Sequence, residues 1–101
     1  MITVLASIYV KAGEIDKFLD IFKANIPSVC AEDGCISYVP MVDFDSQLAP
    51  QELNENIVTI VEQWESIEAL KAHLVAPHML KYKDNVKDIV EDVTLKVLKN
   101  G

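Results

Sequence analysis

The sequence predicts an α+β protein, a ferredoxin-like four-stranded antiparallel sheet with helices on one face. Three observations lead to this fold class. Four segments are rich in β-branched and aromatic residues, amphipathic helical segments lie between them, and the elements follow one another as β, α, β, β, α-α, β. Of the 101 residues, 50% are hydrophobic and 25% charged, so we expect one folded domain over residues 1–101 rather than a disordered segment.

The first strand and the first helix differ in the period of their apolar residues. Residues 2–10 are mostly β-branched, apolar or aromatic and end shortly before Gly13, which predicts a strand. From Glu14 onward, apolar residues recur at spacings of three and four, as in an amphipathic helix. We expect Pro27 to kink or interrupt the last turns of this helix. The apolar stripe consists of Ile15, Phe18, Leu19, Phe22, Ile26 and Val29.

The middle of the chain contains two strands and a long connection. The sequence AEDG at 31–34 is a helix stop, and residues 35–42 form the second predicted strand, in which Pro40 suggests a sheet edge or a bulge. Residues 43–55 are polar and aperiodic, which predicts a long connection that could act as a lid. Residues 56–64 return to strand character.

Two helical segments and a last strand complete the chain. Ser66 is placed to cap a helix that carries Ile67, Leu70 and Leu74 on one side. Pro77 is a favoured residue for the first turn of a second helical segment. That segment carries Met79, Tyr82, Val86 and Ile89 at helical spacing, and the last strand covers residues 93–98.

Both faces of the predicted sheet are apolar. Helices can cover only one of them, so the other needs a cover, most simply the same face of a second copy around a two-fold axis. We therefore predict a homodimer whose sheets stack face to face. The helix-covered set is Ile2, Val4, Ala6, Ile8, Val58, Ile60, Glu62 and Trp64, and the opposite set is Leu5, Ser7, Tyr9, Val39, Met41 and Val61.

The charge balance restricts the partners. The formal net charge of -7 repels phosphate backbones and anionic membranes, so neither nucleic acid nor a membrane is an expected partner. The N-terminus has no basic region before an apolar stretch, and no apolar run is long enough to span a bilayer. We expect a soluble, cytoplasmic protein. Cys30 and Cys35 are expected to be buried thiols rather than a disulfide or a metal pair.

Residues 62–78, EQWESIEALKAHLVAPH, contain the one tryptophan and both histidines of the chain. Together with the EDGCISY sequence that leads into the second strand and with the order of elements, this stretch resembles the antibiotic biosynthesis monooxygenase superfamily. Those proteins are small dimeric α/β barrels and include quinol monooxygenases. The resemblance extends over nearly the whole chain, but fold alone does not choose among the oxygenases, isomerases and uncharacterised proteins of such families.

The resemblance implies a pocket between sheet and helices in which a small quinol or phenol reacts with dioxygen, without flavin, heme or metal. A deprotonated hydroquinone can pass an electron to oxygen, so the protein must bind it, promote loss of its proton and exclude water. Two alternatives stay open: an isomerase or other proton-transfer enzyme acting on a small metabolite, and a non-catalytic protein that binds a small molecule. No residue spacing indicates a metal site, a phosphate loop or a hydrolase nucleophile.

Two residues of the third strand are candidates for the site. By alternation, Glu62 and Trp64 both face the helices. A carboxylate on an apolar face must be hydrogen-bonded, paired or protonated, so Glu62 is either a proton acceptor with a raised pKa or a partner of a helix terminus or a lysine. Trp64 either fills the core or forms an aromatic wall for a planar ligand.

The histidines and tyrosines complete the candidate set. His73 borders the apolar stripe of its helix, as a satisfied core residue or a catalyst. His78 lies in the first turn of the next helix and shares a face with Tyr82, four residues on. There the helix dipole favours neutral imidazole, which makes His78 the preferred base, with capping as the alternative. Tyr38 could contribute a phenol to the pocket, as could Tyr82, although a core or edge role also fits Tyr38.

Two departures from the family leave the substrate class open. The heme-degrading branch has an asparagine on its first strand, and residues 1–10 contain none. A heme-degrading function is therefore the weaker expectation, although His73 or His78 could ligate iron. Family members that oxidise aromatic polyketides have an asparagine ahead of the tryptophan, and Ile60 stands four residues before Trp64 here.

Overall fold

The computed structural model describes all residues 1–101 and contains one four-stranded sheet and three helices. The strand order is β2-β3-β1-β4, and every neighbouring pair is antiparallel. This confirms the predicted α+β, ferredoxin-like fold. The elements are β1 (Ile2–Val10), α1 (Ile15–Cys30), β2 (Cys35–Val42), β3 (Ile57–Trp64), α2 (Ile67–Leu74), α3 (Pro77–Val86) and β4 (Val90–Leu98).

Most element bounds agree with the predictions, and three points differ. α3 ends at Val86, so Ile89 lies beyond the helix that we expected to carry it. The last strand begins at Val90 rather than at residue 93, because Val90 still pairs with Val10 after a register shift. Of the kink or interruption expected at Pro27, the interruption is wrong, since α1 continues through this residue to Cys30. Proline removes one N–H donor, but its carbonyl remains available, and Pro27 O accepts the backbone N–H of Ala31 at 3.2 Å. Pro40 does lie on an edge strand, β2.

The core lies between the helices and one face of the sheet. The register places Val4 opposite Glu62 and Ile8 opposite Val58, so alternate residues of the two central strands point toward the helices. α1 contributes Phe18, Phe22 and Val29 to the same layer. The buried residues of this face of β1 and β3 are Val4, Ala6, Ile8, Val10, Val58, Ile60, Glu62 and Trp64.

Two parts of the sheet are left uncovered. The face away from the helices presents Leu5, Tyr9 and Val61 half-buried and Val39 and Met41 exposed, which agrees with the need for a cover; the homodimer itself stays a prediction. On the helix side, β4 is also uncovered, which the sequence analysis did not foresee. Its apolar residues on that side, Val93, Leu95 and Val97, are 48%, 50% and 48% exposed.

The cysteines are not the buried thiols that we expected. Cys30 is exposed and Cys35 is half-buried, and both are free. Val29 takes the inward position at the end of α1, so the next residue faces solvent. Cys35 begins an edge strand, where only part of the side chain can be covered.

The turn after α1 holds α2 close to the sheet. Gly34 has a φ of +83°, and a Cβ at this position would lie 2.6 Å from the Cβ of Ala69, so only glycine allows α2 to approach this closely. α2 begins as predicted, with the Ser66 hydroxyl accepting the backbone N–H of Ala69 at 3.1 Å. Residues 43–56 form the long connection between β2 and β3. No helix is long and apolar enough to cross a bilayer.

Candidate functional site

A cavity of about 510 Å³ lies between the helix-covered side of the sheet and helices α2 and α3. Its volume falls within the roughly 300–1,000 Å³ that is typical of small-molecule sites. Val93 and Leu95 of β4 line it and are half exposed, so the cavity opens along this strand. Its polar lining consists of Tyr38, Glu62, His73, Tyr82, Lys83 and Lys87, and its apolar lining includes Ala6, Ile8, Ile60, Leu74, Met79, Val86 and Val90.

Glu62 is a buried carboxylate in this apolar surrounding. It is 5% exposed, and its Oε1 accepts the indole N–H of Trp64 at 2.9 Å. Burial raises its pKa to about 7, the Trp64 hydrogen bond opposes that rise, and repulsion from Glu32 adds to it. The side chain therefore changes protonation state near neutral pH. Its partner is an indole, neither the helix terminus nor the lysine considered from the sequence.

Trp64 packs against His73 next to this carboxylate but does not itself line the cavity, so it fills the core. Trp64 is completely buried, and its ring centroid lies 4.6 Å from that of His73. The other aromatic neighbour of His73 is Tyr38, whose ring meets that of His73 edge-on with 5.4 Å between the ring centroids. His73 is also buried and lines the cavity. Burial lowers the pKa of His73, although the hydrogen bond that it donates to Glu32 acts in the other direction, so the neutral imidazole is favoured.

Glu32 connects the two histidines. Its Oε2 lies 2.8 Å from Nδ1 of His73 and 2.9 Å from Nε2 of His78. Glu32 belongs to the predicted helix stop and to the EDGCISY sequence of the family resemblance, but it was not predicted as a site residue. The one available signal was the sequence EDGC, in which the glycine turn directs the preceding carboxylate back toward α2.

His78 does not line the cavity that Glu62 and His73 line. It lies in a separate groove of about 420 Å³ between α1 and α3. Tyr82, four residues along α3, lines both spaces. Four of the six predicted site residues therefore line the cavity: Tyr38, Glu62, His73 and Tyr82. Trp64 lies beneath this lining in the core, and His78, the preferred base, lies in the separate groove.

Tyr38 and Tyr82 contribute phenols to the cavity. Both are buried, and burial, with the nearby Glu62 carboxylate, raises the pKa of each well above its ordinary value. These tyrosines therefore stay protonated at neutral pH and can donate hydrogen bonds to a ligand oxygen. They also pack on Phe22 of α1, which fixes their rings.

No group of three or more histidine, cysteine or carboxylate side chains has an arrangement suited to a metal ion. Glu32, His73 and His78 are side chains of the right types, but their ligand atoms are engaged with one another at hydrogen-bond distance. What the site offers chemically is proton transfer in a cavity that is also lined by the rings of Tyr38, His73 and Tyr82.

Comparison with known proteins places these features in a family. The profile of the family described as antibiotic biosynthesis monooxygenase matches residues 1–85. The chain is 38% identical over 103 residues to the Escherichia coli (strain K12) protein named "Probable quinol monooxygenase YgiN", covering 100% of this chain and 99% of the relative.

Solved structures support the fold independently of sequence. A conserved protein from Methanosarcina mazei Go1 superposes with a TM-score of 0.84 at 21% identity, covering 99% of this chain and 92% of the other. Rv0793 from Mycobacterium tuberculosis gives a TM-score of 0.80 at 25% identity, with coverage of 98% and 93%. The whole of the architecture described above is therefore shared with these proteins.

Proposed function

This chain belongs to the antibiotic biosynthesis monooxygenase family, and from that membership and the cavity we propose that it oxidises a small quinol or phenol-type aromatic with dioxygen, without a cofactor. Membership supports a monooxygenase activity in general. The name of the Escherichia coli relative, a quinol monooxygenase, supports the substrate class. Cofactor independence and the roles of individual residues are part of the proposal.

The observation that carries the proposal is Glu62, a buried carboxylate that lines an apolar cavity and has a pKa of about 7. A general base works best when its pKa lies near the operating pH. Trp64 holds Oε1 in place, which leaves Oε2 for the hydroxyl of a ligand. An ordinary surface glutamate, with a pKa near 4.3, is a far weaker base.

The reaction balances with dioxygen alone. Glu62 accepts the proton of a substrate hydroxyl, and the electron-rich anion reduces oxygen and combines with it at a ring carbon to give a peroxide anion. Glu62 returns the proton to this anion, which becomes a hydroperoxide. The ring carbon then loses its hydrogen as a proton while the O–O bond breaks and hydroxide leaves, so that one oxygen atom stays on the carbon and the other leaves as water. For a hydroquinone with a free ring position, the products are a hydroxyquinone and one water molecule.

The aromatic residues suit this substrate class. His73 supplies a ring at the cavity surface against which a planar ligand can pack, and Trp64 supports that ring from the core. Tyr38 and Tyr82 supply phenol hydroxyls that can donate to a ligand oxygen. His73 is the second base that faces the cavity, since Glu32 occupies its Nδ1 and leaves Nε2 for a ligand. The apolar lining keeps bulk water away from the anion.

The test is oxygen uptake with a panel of one-ring and two-ring hydroquinones, corrected for their spontaneous oxidation. We expect turnover by the wild type and a loss of roughly 10²-fold or more in Glu62→Gln, because removal of a general base has effects of that order. The matched control is Glu91→Gln, which changes an exposed carboxylate on β4. If Glu62→Gln folds normally and keeps full turnover, the assignment of the base is wrong. If the protein accelerates oxygen uptake with none of the hydroquinones, the monooxygenase proposal fails. The isomerase alternative is then tested by NMR, which follows the exchange of solvent protons into a bound metabolite.

A further inference from the structure

We propose that His73, Glu32 and His78 form a path along which a proton passes between the inner cavity and the outer groove. The inference rests on the proposed function, because it assigns a route to the proton that the substrate loses. It gives a role to Glu32, which does not line the cavity, and to His78, which lies on the far side of it.

The path is continuous in hydrogen-bond geometry. One carboxylate oxygen, Oε2 of Glu32, lies 2.8 Å from Nδ1 of His73 and 2.9 Å from Nε2 of His78. Both distances are those of charge-assisted hydrogen bonds. In each imidazole, one nitrogen is at hydrogen-bond distance from Glu32, and the other nitrogen is not engaged by Glu32. Because His73 lines the cavity and His78 lines the groove, the path joins the two spaces.

Exposure increases along the path. The exposed fraction of the side chain is 2% for His73, 13% for Glu32 and 28% for His78. A bridge that served packing alone would not require its outer end to reach solvent. The way along β4 is the other opening of the cavity, and a bound substrate would obstruct it. The path through Glu32 remains available while the cavity is full.

Each step moves one proton between adjacent atoms. The two hydrogen bonds to the carboxylate place one proton on Nδ1 of His73 and one on Nε2 of His78. When Nε2 of His73 takes a proton from the cavity, Nδ1 passes its own to Oε2 of Glu32. His78, after exchange with water in the groove has moved its proton to Nδ1, accepts the Glu32 proton at Nε2 and releases the Nδ1 proton to that water. No electron is transferred, and the reverse sequence returns a proton to the cavity and restores the original tautomers.

The groups around the path favour transfer over a trapped charge. The rings of Trp64 and Tyr38 enclose His73 and carry no charge. Glu62 lies on the cavity side, and the Lys83 ammonium, which donates to the backbone carbonyl of Leu74, opposes a second positive charge near His73. Because Glu32 contacts both imidazoles, its negative charge stabilises a positive charge on either of them.

The first experiment does not depend on turnover. In protein labelled with ¹⁵N, the imidazole signals of both histidines are followed by NMR from pH 5 to 8. We expect the His73 signals to shift at the pH where His78 titrates, and this response to disappear in His78→Gln. The control is Lys81→Gln, which changes another side chain of the same groove and should leave the response intact. If His73 titrates identically with and without His78, the path does not exist.

The second experiment uses a hydroquinone that supports oxygen uptake. His78→Ala should lower the maximal rate roughly tenfold, a modest part of the usual range for acid–base groups, with KM unchanged. Added imidazole, which can enter the groove, should restore the rate. A loss that imidazole does not restore, or no loss at all, overturns the path while the monooxygenase activity stands. If no hydroquinone is consumed, the proposed function fails, and the NMR response alone decides whether the path exists.

Discussion

Burial of Glu62 predicts a specific pH dependence of stability, which Glu62→Gln should abolish. The folded protein holds the proton of this carboxyl more tightly than the unfolded chain does, since its pKa rises from 4.5 to about 7. At about 1.4 kcal/mol for each tenfold change in proton affinity, the rise corresponds to about 3 kcal/mol.

The sign follows from the direction of the rise. Stability from this group is fully present below pH 4.5 and is lost as the pH rises through about 7, because the folded state must then hold a buried anion. Glutamine has nearly the same volume, keeps an acceptor for Trp64 and does not ionise. Relative to the wild type, Glu62→Gln should therefore gain about 3 kcal/mol of unfolding free energy between pH 4 and pH 8.

Urea unfolding of both proteins at several pH values measures the difference. Titration of the other carboxylates and of the histidines is common to the two proteins and cancels to first order. Glu91→Gln, on an exposed part of β4, should show a difference that does not vary with pH. A flat difference for Glu62→Gln as well would show that Glu62 ionises in the folded protein as it does in water. In that case it could not serve as a base poised near neutrality.

Three further predictions concern other parts of the molecule. Trp64→Phe removes the hydrogen bond that lowers the pKa of Glu62, so NMR titration of the Glu62 carboxyl should give a value above about 7; an unchanged or lower value would contradict the assigned contact. Gly34→Ala should destabilise the protein by more than Gly13→Ala in urea unfolding: both have φ near +80°, which costs roughly 1–2 kcal/mol for alanine, but only at Gly34 does the new methyl group meet a neighbour. Sedimentation of the wild type at micromolar concentration should give twice the chain mass, and Leu5→Lys, on the uncovered sheet face, should give the mass of a single chain. A wild type that sediments as one chain would show that the predicted face-to-face homodimer is wrong.

The fold could be predicted from the sequence because its signals are local. The run of β-branched and apolar residues over 2–10 gives way after Glu14 to apolar residues at spacings of three and four, and Ser66 and Pro77 mark the beginnings of two helices. The alternation on β3 was enough to place Glu62 and Trp64 on the helix side. Pro27 was misjudged because the carbonyls around it still find partners near the end of α1, a property of the folded backbone that the sequence does not display.

The site was harder to predict because its contacts join residues that are distant in sequence. Glu32 lies 41 residues from His73 and 46 from His78, and a glutamate in a turn has no periodicity to reveal it. The position of His78 behind the cavity depends on how α3 crosses α1, which spacing along one helix cannot determine. The exposure of Cys30 likewise depends on which side of the last turn of α1 faces solvent.

The hydrogen bond between Trp64 and Glu62 has a practical consequence, because the chain contains one tryptophan. Its fluorescence comes from a single indole that touches both an ionising carboxylate and an imidazole. Emission intensity should therefore follow deprotonation of Glu62 without any label, and should respond again when a quinol quenches the excited ring. Trp64 fluorescence can therefore report both ligand binding in the cavity and the ionisation of Glu62.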